Sequence, residues 1–105
     1  MTETELRRLR HAAESGDAEA QWRLGHMYRC GWGVPKDHAE EAAWNRRAAE
    51  AGFTHAQFSL GWNYEWGEGV PQNDVDAVKW YRQSAAQEDS YAQCSLGRMY
   101  LAGRG

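Results

Sequence analysis

An all-α architecture of antiparallel helix hairpins is expected for this chain, and three observations lead to it. The sequence lands on itself after a shift of 36 residues, as from Ala20 to Ala56 to Ala92. Apolar positions within each copy recur at three- and four-residue spacing, the signature of one helical face. Segments bearing Gly and Pro separate the helical stretches. The register is dense: Ala20-Gln21, Ala56-Gln57 and Ala92-Gln93 align, then Leu24-Gly25, Leu60-Gly61 and Leu96-Gly97, then Tyr28, Tyr64 and Tyr100. Gly31, Gly67 and Gly103 follow, with Gly33, Gly69 and Gly105 two residues on; Val34-Pro35 returns as Val70-Pro71, and Trp44 as Trp80. Periods of 20–50 residues mark supersecondary units that stack on their neighbours.

Each element has a local reason. Residues 3–15 read as a lone helix of the second type, since Ala12-Ala13 before Gly16 match Ala48-Ala49 before Gly52. The next helix, over 17–30, gathers Ala20, Leu24, Met27 and Tyr28 on one face. Asp17 suits its N-cap. Gly31 and Gly33 suit its end, and Pro35 delays the next helix. Asp37 opens that helix, and Glu40 three residues later gives a capping-box pattern. It carries Ala42, Ala43, Trp44, Ala48 and Ala49 and stops at Gly52. The acidic Glu40-Glu41 pair at its start is read as favouring the helix dipole. The second unit repeats the plan, with Thr54 and either Asn73 or Asp74 as expected caps. Glu88-Asp89 stands where the register calls for a glycine, so a different turn is expected near 88. A last helix spans about 90–102, and Gly105 falls in mid-loop. Six helices in one domain result: an N-terminal helix (1–16), repeats over 17–52 and 53–88, and a partial repeat over 89–105.

Gly25, Gly61 and Gly97 fall inside helices, where Gly costs about 1 kcal/mol relative to Ala. Close approach of a partner helix would explain all three. The last helix lacks such a partner, so its face of Leu96, Met99 and Tyr100 is expected to be partly uncovered. That face fits a fragment of a longer repeat array, or it would suit a second copy, giving a homodimer, or another molecule.

Composition narrows the function. Net charge is −3 and pI about 5.8, without the basic stripe of a nucleic-acid binder. No apolar run approaches a membrane span. The first residues, Met1 to Glu5, are polar and acidic and form no secretion signal. A cytoplasmic location is expected, or a secreted or periplasmic one if a leader was removed. Cys30 and Cys94 have no metal-ligand spacing, and His11, His26, His38 and His55 are scattered. The glycine-rich loops lack the Lys-Ser/Thr of a phosphate cradle. Neither a Gly-x-Ser-x-Gly elbow nor a His-Glu-x-x-His helix is present. No enzymatic activity, metal or cofactor is expected.

The run Ala-x-x-x-Leu-Gly-x-x-Tyr-x-x-Gly-x-Gly-Val-Pro, followed by Trp-x-x-x-Ala-Ala, covers Ala20 to Pro35 with Trp44, Ala48 and Ala49. It recurs over Ala56 to Pro71 with Trp80 and Ala85, Ser84 replacing one alanine, and begins again at Ala92. This pattern resembles the Sel-one-like repeat, a relative of the tetratricopeptide repeat. The resemblance implies a right-handed α-α superhelix, a solenoid whose first helices line a concave surface, and an adaptor or scaffold role, often bacterial. Cysteine-rich members pair cysteines within each repeat; Cys30 and Cys94 do not follow that spacing.

On a helical wheel, Trp22, His26 and Arg29 lie opposite the core face of the first repeat. Phe58, Trp62 and Glu65, with Trp66 nearby, are their counterparts in the second, and Cys94, Arg98 and Leu101 in the third. If the concave geometry holds, Trp22, Phe58, Trp62 and Trp66 anchor a protein or peptide partner, and His26, Arg29, Glu65 and Arg98 set its register; the alternatives are that Trp22 and Phe58 pack between neighbouring first helices, and that the chain is an inhibitor or immunity-type binding protein. Trp62 carries the most information, because its equivalents His26 and Arg98 are polar and the repeat does not require an aromatic there. Trp44 and Trp80 are assigned to the core.

Overall fold

The computed structural model describes residues 2–105. It contains six helices: α1 (Glu3–Glu14), α2 (Ala18–Cys30), α3 (His38–Glu50), α4 (Thr54–Trp66), α5 (Asp74–Ala86) and α6 (Ser90–Leu101). Each helix packs on the next in chain order. The result is a helical-repeat solenoid, elongated to 46 × 24 × 17 Å. Among the described residues, no helix is long and apolar enough to cross a membrane.

The helix ends follow local chemistry, with some corrections. Asp17, Asn73 and Asp89 cap α2, α5 and α6 by accepting hydrogen bonds from Ala20, Asp76 and Ala92 N–H groups. Asp37 caps α3 by accepting from Ala39 and Glu40, but its own N–H donates to the Tyr28 carbonyl. The expected capping box with Glu40 therefore does not form. Thr54 is not a cap either. Phe53 holds the cap position of α4 without a side-chain hydrogen bond, and the Thr54 hydroxyl donates to Gln87 Oε1 at 2.5 Å. A capping box does form on α1, between Thr2 and Glu5.

Three side-by-side clusters make the core. Ala13, Ala20, Leu24, Met27 and Trp44 form the first; Ala48, Ala49, Ala56, Leu60 and Trp80 the second; Ala77, Val78, Tyr81, Ala92 and Met99 the third. Trp44 and Trp80 are core residues, as the register predicted. Met99 is fully buried, so the expectation that it faces outward is corrected: it seats α6 on α5, as Met27 belongs to the α2–α3 core.

The repeated Ala-Gln pair has a structural reason. The Gln21 amide donates to the Ala13 carbonyl at 3.0 Å, Gln57 to Ala49 at 3.3 Å and Gln93 to Ala85 at 3.4 Å. Each bond ties the start of a first-type helix to the end of the second-type helix before it, satisfying one of the orphan carbonyls every helix end leaves. The turn at 88 also corrects an expectation. Glu88 N–H donates to Ala85 and Asp89 N–H to Ser84, the same pattern that Gly52 and Phe53 make with Ala49 and Ala48. The turn is conserved, and Glu88 adopts the left-handed backbone (φ 66°) in place of glycine.

The helix-interior glycines mark close approach. A Cβ on Gly25 would lie 3.0 Å from Asn45 Oδ1, and one on Gly61 2.7 Å from the Tyr81 ring; one on Gly97 would meet nothing within 4 Å. In the first two the following second-type helix covers the glycine. Over α6 that space is open.

Candidate functional site

Side chains of α2 and α4, bridged by the Trp22–Ser59 hydrogen bond, together with Glu41 of α3 line an open cleft of about 240 Å³. Its lining is Trp22, His26, Arg29, Glu41, Phe58, Ser59 and Trp62. Trp22 and Phe58 are half-buried. Each packs against the core cluster of the following repeat while presenting part of its ring to the cleft. The Trp22 indole N–H donates to Ser59 Oγ at 3.2 Å, which fixes the ring across the α2–α4 boundary. The aromatic row continues in both directions. His26 stacks on Trp22 at 6.4 Å and meets the edge of the exposed Trp32 at 5.6 Å. Phe58 lies 6.3 Å from Trp62, which lies 5.6 Å from Trp66. A second cleft of about 210 Å³, lined by Leu9, Trp22, Arg23, His26, Met27 and Trp32, adjoins the first and shares Trp22 and His26 with it.

Beneath the aromatics run two polar clamps. In the first, Arg29 Nη1 lies 3.1 Å from Glu41 Oε2 and 2.8 Å from Glu68 Oε1. Glu41 is buried, and its carboxylate also takes hydrogen bonds from Asn63 (3.3 Å) and Asn45 (3.5 Å), with His38 Nδ1 2.9 Å away. In the second, Glu65 is buried and accepts from Tyr81 at 2.8 Å, from both nitrogens of the Arg98 fork, and from Arg104 at 3.0 Å. Burial pushes the Glu65 carboxyl up. The hydrogen bonds from Arg98 and Tyr81 and the charges of Arg98 and Arg104 outweigh it, and hold the group below the usual carboxylate range. Burial and the bond to Glu65 push the Tyr81 hydroxyl up, so it remains a donor.

The structure brings Trp22, His26, Arg29, Phe58 and Trp62 together in one cleft. Trp66, half-exposed, flanks it, with the Arg98 guanidinium 5.9 Å from its ring centre. Glu65 is the exception, and its assignment as an exposed register-setting charge is corrected: at 1% exposure it is an internal acceptor. Sequence reading missed Glu41, treated as a helix-dipole acid, together with Asn45 and Asn63. A signal was present. These three align with Ala77, Tyr81 and the core methionines Met27 and Met99, so polar groups stand at apolar register positions and need one another as partners. Among the described residues, no group of three or more His, Cys, Asp or Glu side chains is placed to hold a metal ion.

Comparisons with known proteins agree with this architecture. The family model described as Sel1 repeat matches residues 18–53, 54–89 and 90–105. A Sel1 repeat protein from Oxalobacter formigenes is 47% identical, with a TM-score of 0.86, over 88% of this chain and 69% of that one. A protective antigen of uropathogenic Escherichia coli displaying an SLR fold is 45% identical with a TM-score of 0.90, over 94% of this chain. The present chain spans only 21% of that protein. Helicobacter pylori cysteine rich protein B, at 24% identity and a TM-score of 0.83 over 91% of this chain and 72% of that one, shares the fold. A search of curated proteins found no match. With two full copies of the repeat and the start of a third matched along one helical solenoid, the chain belongs to the Sel1 repeat family.

Proposed function

We propose that the chain is a binding module whose α2–α4 groove holds a segment of another protein. Sel1 repeat proteins generally mediate protein–protein interaction. The observation that carries the assignment to this groove is the row Trp32–His26–Trp22 and Phe58–Trp62–Trp66, whose rings line and flank a cleft, Trp22 and Phe58 while also packing on the neighbouring core clusters. Trp62 is its centre, because the repeat accepts His26 and Arg98 at the same register. Aromatic and arginine side chains at a preformed surface are the residues that dominate protein interfaces. The two exposed, unpaired cysteines fit a reducing, cytoplasmic setting.

The test is capture from the native host lysate with wild-type protein and with Trp62→Ala, after circular dichroism has confirmed equal helicity. A protein retained by the wild type and lost with the variant supports the groove. Loss of helicity in Trp62→Ala would instead make Trp62 a structural residue and remove the centre of the site.

A second reading is favoured by the open face of α6. Gly97 is uncovered, Leu101 is 93% exposed and Tyr100 about half-exposed. Self-association there, through Leu96, Tyr100 and Leu101, would bury this exposed apolar surface. Light scattering at micromolar concentration decides it: a dimer that Leu101→Glu converts to monomer supports this reading, and a monomeric wild type excludes it at that concentration.

A further inference from the structure

The cleft between Trp22 and Trp62 has an electrostatic character that narrows its occupant. Resting on the groove being the binding surface, we infer that it seats a basic side chain of the partner, an arginine or a lysine, on the faces of Trp22, Phe58 and Trp62 and above the Arg29–Glu41–Glu68 cluster.

Two independent features select a cation. The first is charge. Arg29 is the one guanidinium lining the cleft, and it is shared by two carboxylates, Glu41 and Glu68. The three groups Arg29, Glu41 and Glu68 together carry one excess negative charge, and the buried Glu41 carboxylate is screened by water less than a charge at an open surface. The second is the rings themselves. The negative face of an aromatic ring attracts a cation within about 6 Å of its centre. The Trp22 indole N–H is already committed to Ser59, and the ring also meets His26, Phe53 and His55 at 6.4, 5.8 and 5.2 Å, so what this residue offers a ligand is the part of its ring that lines the cleft.

The protein displays the same chemistry elsewhere with its own cations. Arg47 lies 4.5 Å from the Trp44 ring centre, Lys79 5.2 Å from that of Trp80, and Arg98 and Arg104 5.9 and 6.0 Å from that of Trp66. Among the described residues, Trp22 and Trp62 carry no such internal cation. These two indoles flank the space of about 240 Å³, room for one long side chain and not for a folded element. An acidic side chain would meet the excess carboxylate and the negative ring faces together. An aliphatic one would bury the rings but leave the excess charge uncompensated.

Matched blocked pentapeptides, acetyl-Gly-Ala-X-Ala-Gly-amide, test this with X as arginine, lysine, citrulline, leucine or glutamate. Binding is read from the indole N–H signals in two-dimensional NMR, with Trp22 and Trp62 assigned by Trp→Phe variants. Arginine and lysine peptides are expected to shift both signals, with at least fivefold tighter binding than citrulline, which keeps the shape of arginine without the charge. Raising NaCl from 20 to 500 mM should weaken the arginine peptide severalfold, and so should Glu68→Gln, a half-buried loop change that leaves the core intact. Equal binding of citrulline and arginine, or preferential binding of leucine or glutamate at the same indoles, overturns the cation preference while leaving the groove as the binding surface. Absence of any shift from all five peptides at 20 mM also overturns it, and the groove then stands or falls by the lysate capture with Trp62→Ala.

Discussion

Glu88 shows how one residue departs from the repeat without breaking it. Its positions in the earlier copies are Gly16 and Gly52, which take positive φ freely. An L-residue in that region is strained by about 1 kcal/mol or more, yet the turn keeps the hydrogen bonds of its counterparts. Glu88→Gly relieves that strain while giving the unfolded chain more freedom, so a net gain of about 0.5 kcal/mol is expected, read as a higher urea midpoint. Gly61 and Gly97 occupy one register with opposite environments. Gly61→Ala drives a methyl against the Tyr81 ring, and Tyr81 is held by Glu65; overpacking of this kind costs about 1–3 kcal/mol. Gly97→Ala meets empty space and should gain up to about 1 kcal/mol of helix propensity. Paired urea melts check both signs.

Between elements, the two polar clamps join successive repeats with opposite polarity. Arg29 at the end of α2 meets Glu68 in the loop after α4, whereas Glu65 at the end of α4 meets Arg104 in the loop after α6. A slip by one repeat would set like charges against each other, so the clamps add register specificity to a stack whose apolar faces are nearly interchangeable. Buried ion pairs contribute little net stability against an apolar alternative, but removing one partner is costly. The pH response of the second clamp has a definite sign. Glu65 stays ionised in the folded chain at a pH where the unfolded chain, with a glutamate pKa of about 4.3, already binds the proton. Its contribution is complete above that pH and is lost as pH falls through the folded-state value. Wild type should therefore lose more stability than Glu65→Gln between pH 5 and 3, in urea midpoints measured across that range. At pH 7 the variant should be less stable by about 1–3 kcal/mol, the cost of leaving charged donors without their acceptor.

The whole molecule is quasi-one-dimensional, with each helix stabilised chiefly by its neighbours in sequence. Helix α4 is packed by helices on both sides, while α6 rests on α5 and leaves Gly97, Tyr91 and Leu101 uncovered. Local opening free energies follow burial and contact. Hydrogen exchange should therefore be fastest in the end helices α1 and α6 and slowest in the central α3 and α4. Uniform protection across all six helices would mean that α6 is covered in solution, as self-association through its open face requires.

The sequence by itself determined everything that repeats. Its period placed six helices, its glycines and prolines their ends, and its small residues the close contacts, because these properties depend on residues three to five positions apart or on one copy compared with the next. It also placed Trp22, Phe58 and Trp62 on the helix sector opposite the first-helix core face, since helical periodicity fixes the direction of a side chain, although Trp22 and Phe58 in fact reach the core cluster of the following repeat. Direction is not exposure. Glu65 lies on the same wheel sector as the groove residues, yet it is buried because Arg98 and Arg104, 33 and 39 residues further along, close over it. Glu41 read as a helix-start acid until Arg29, Asn45 and Asn63 converged on it from three helices. Only the tertiary structure could decide these cases. Burying a charge is unfavourable until every partner has arrived, and those partners belong to segments that the periodicity of any one helix does not join.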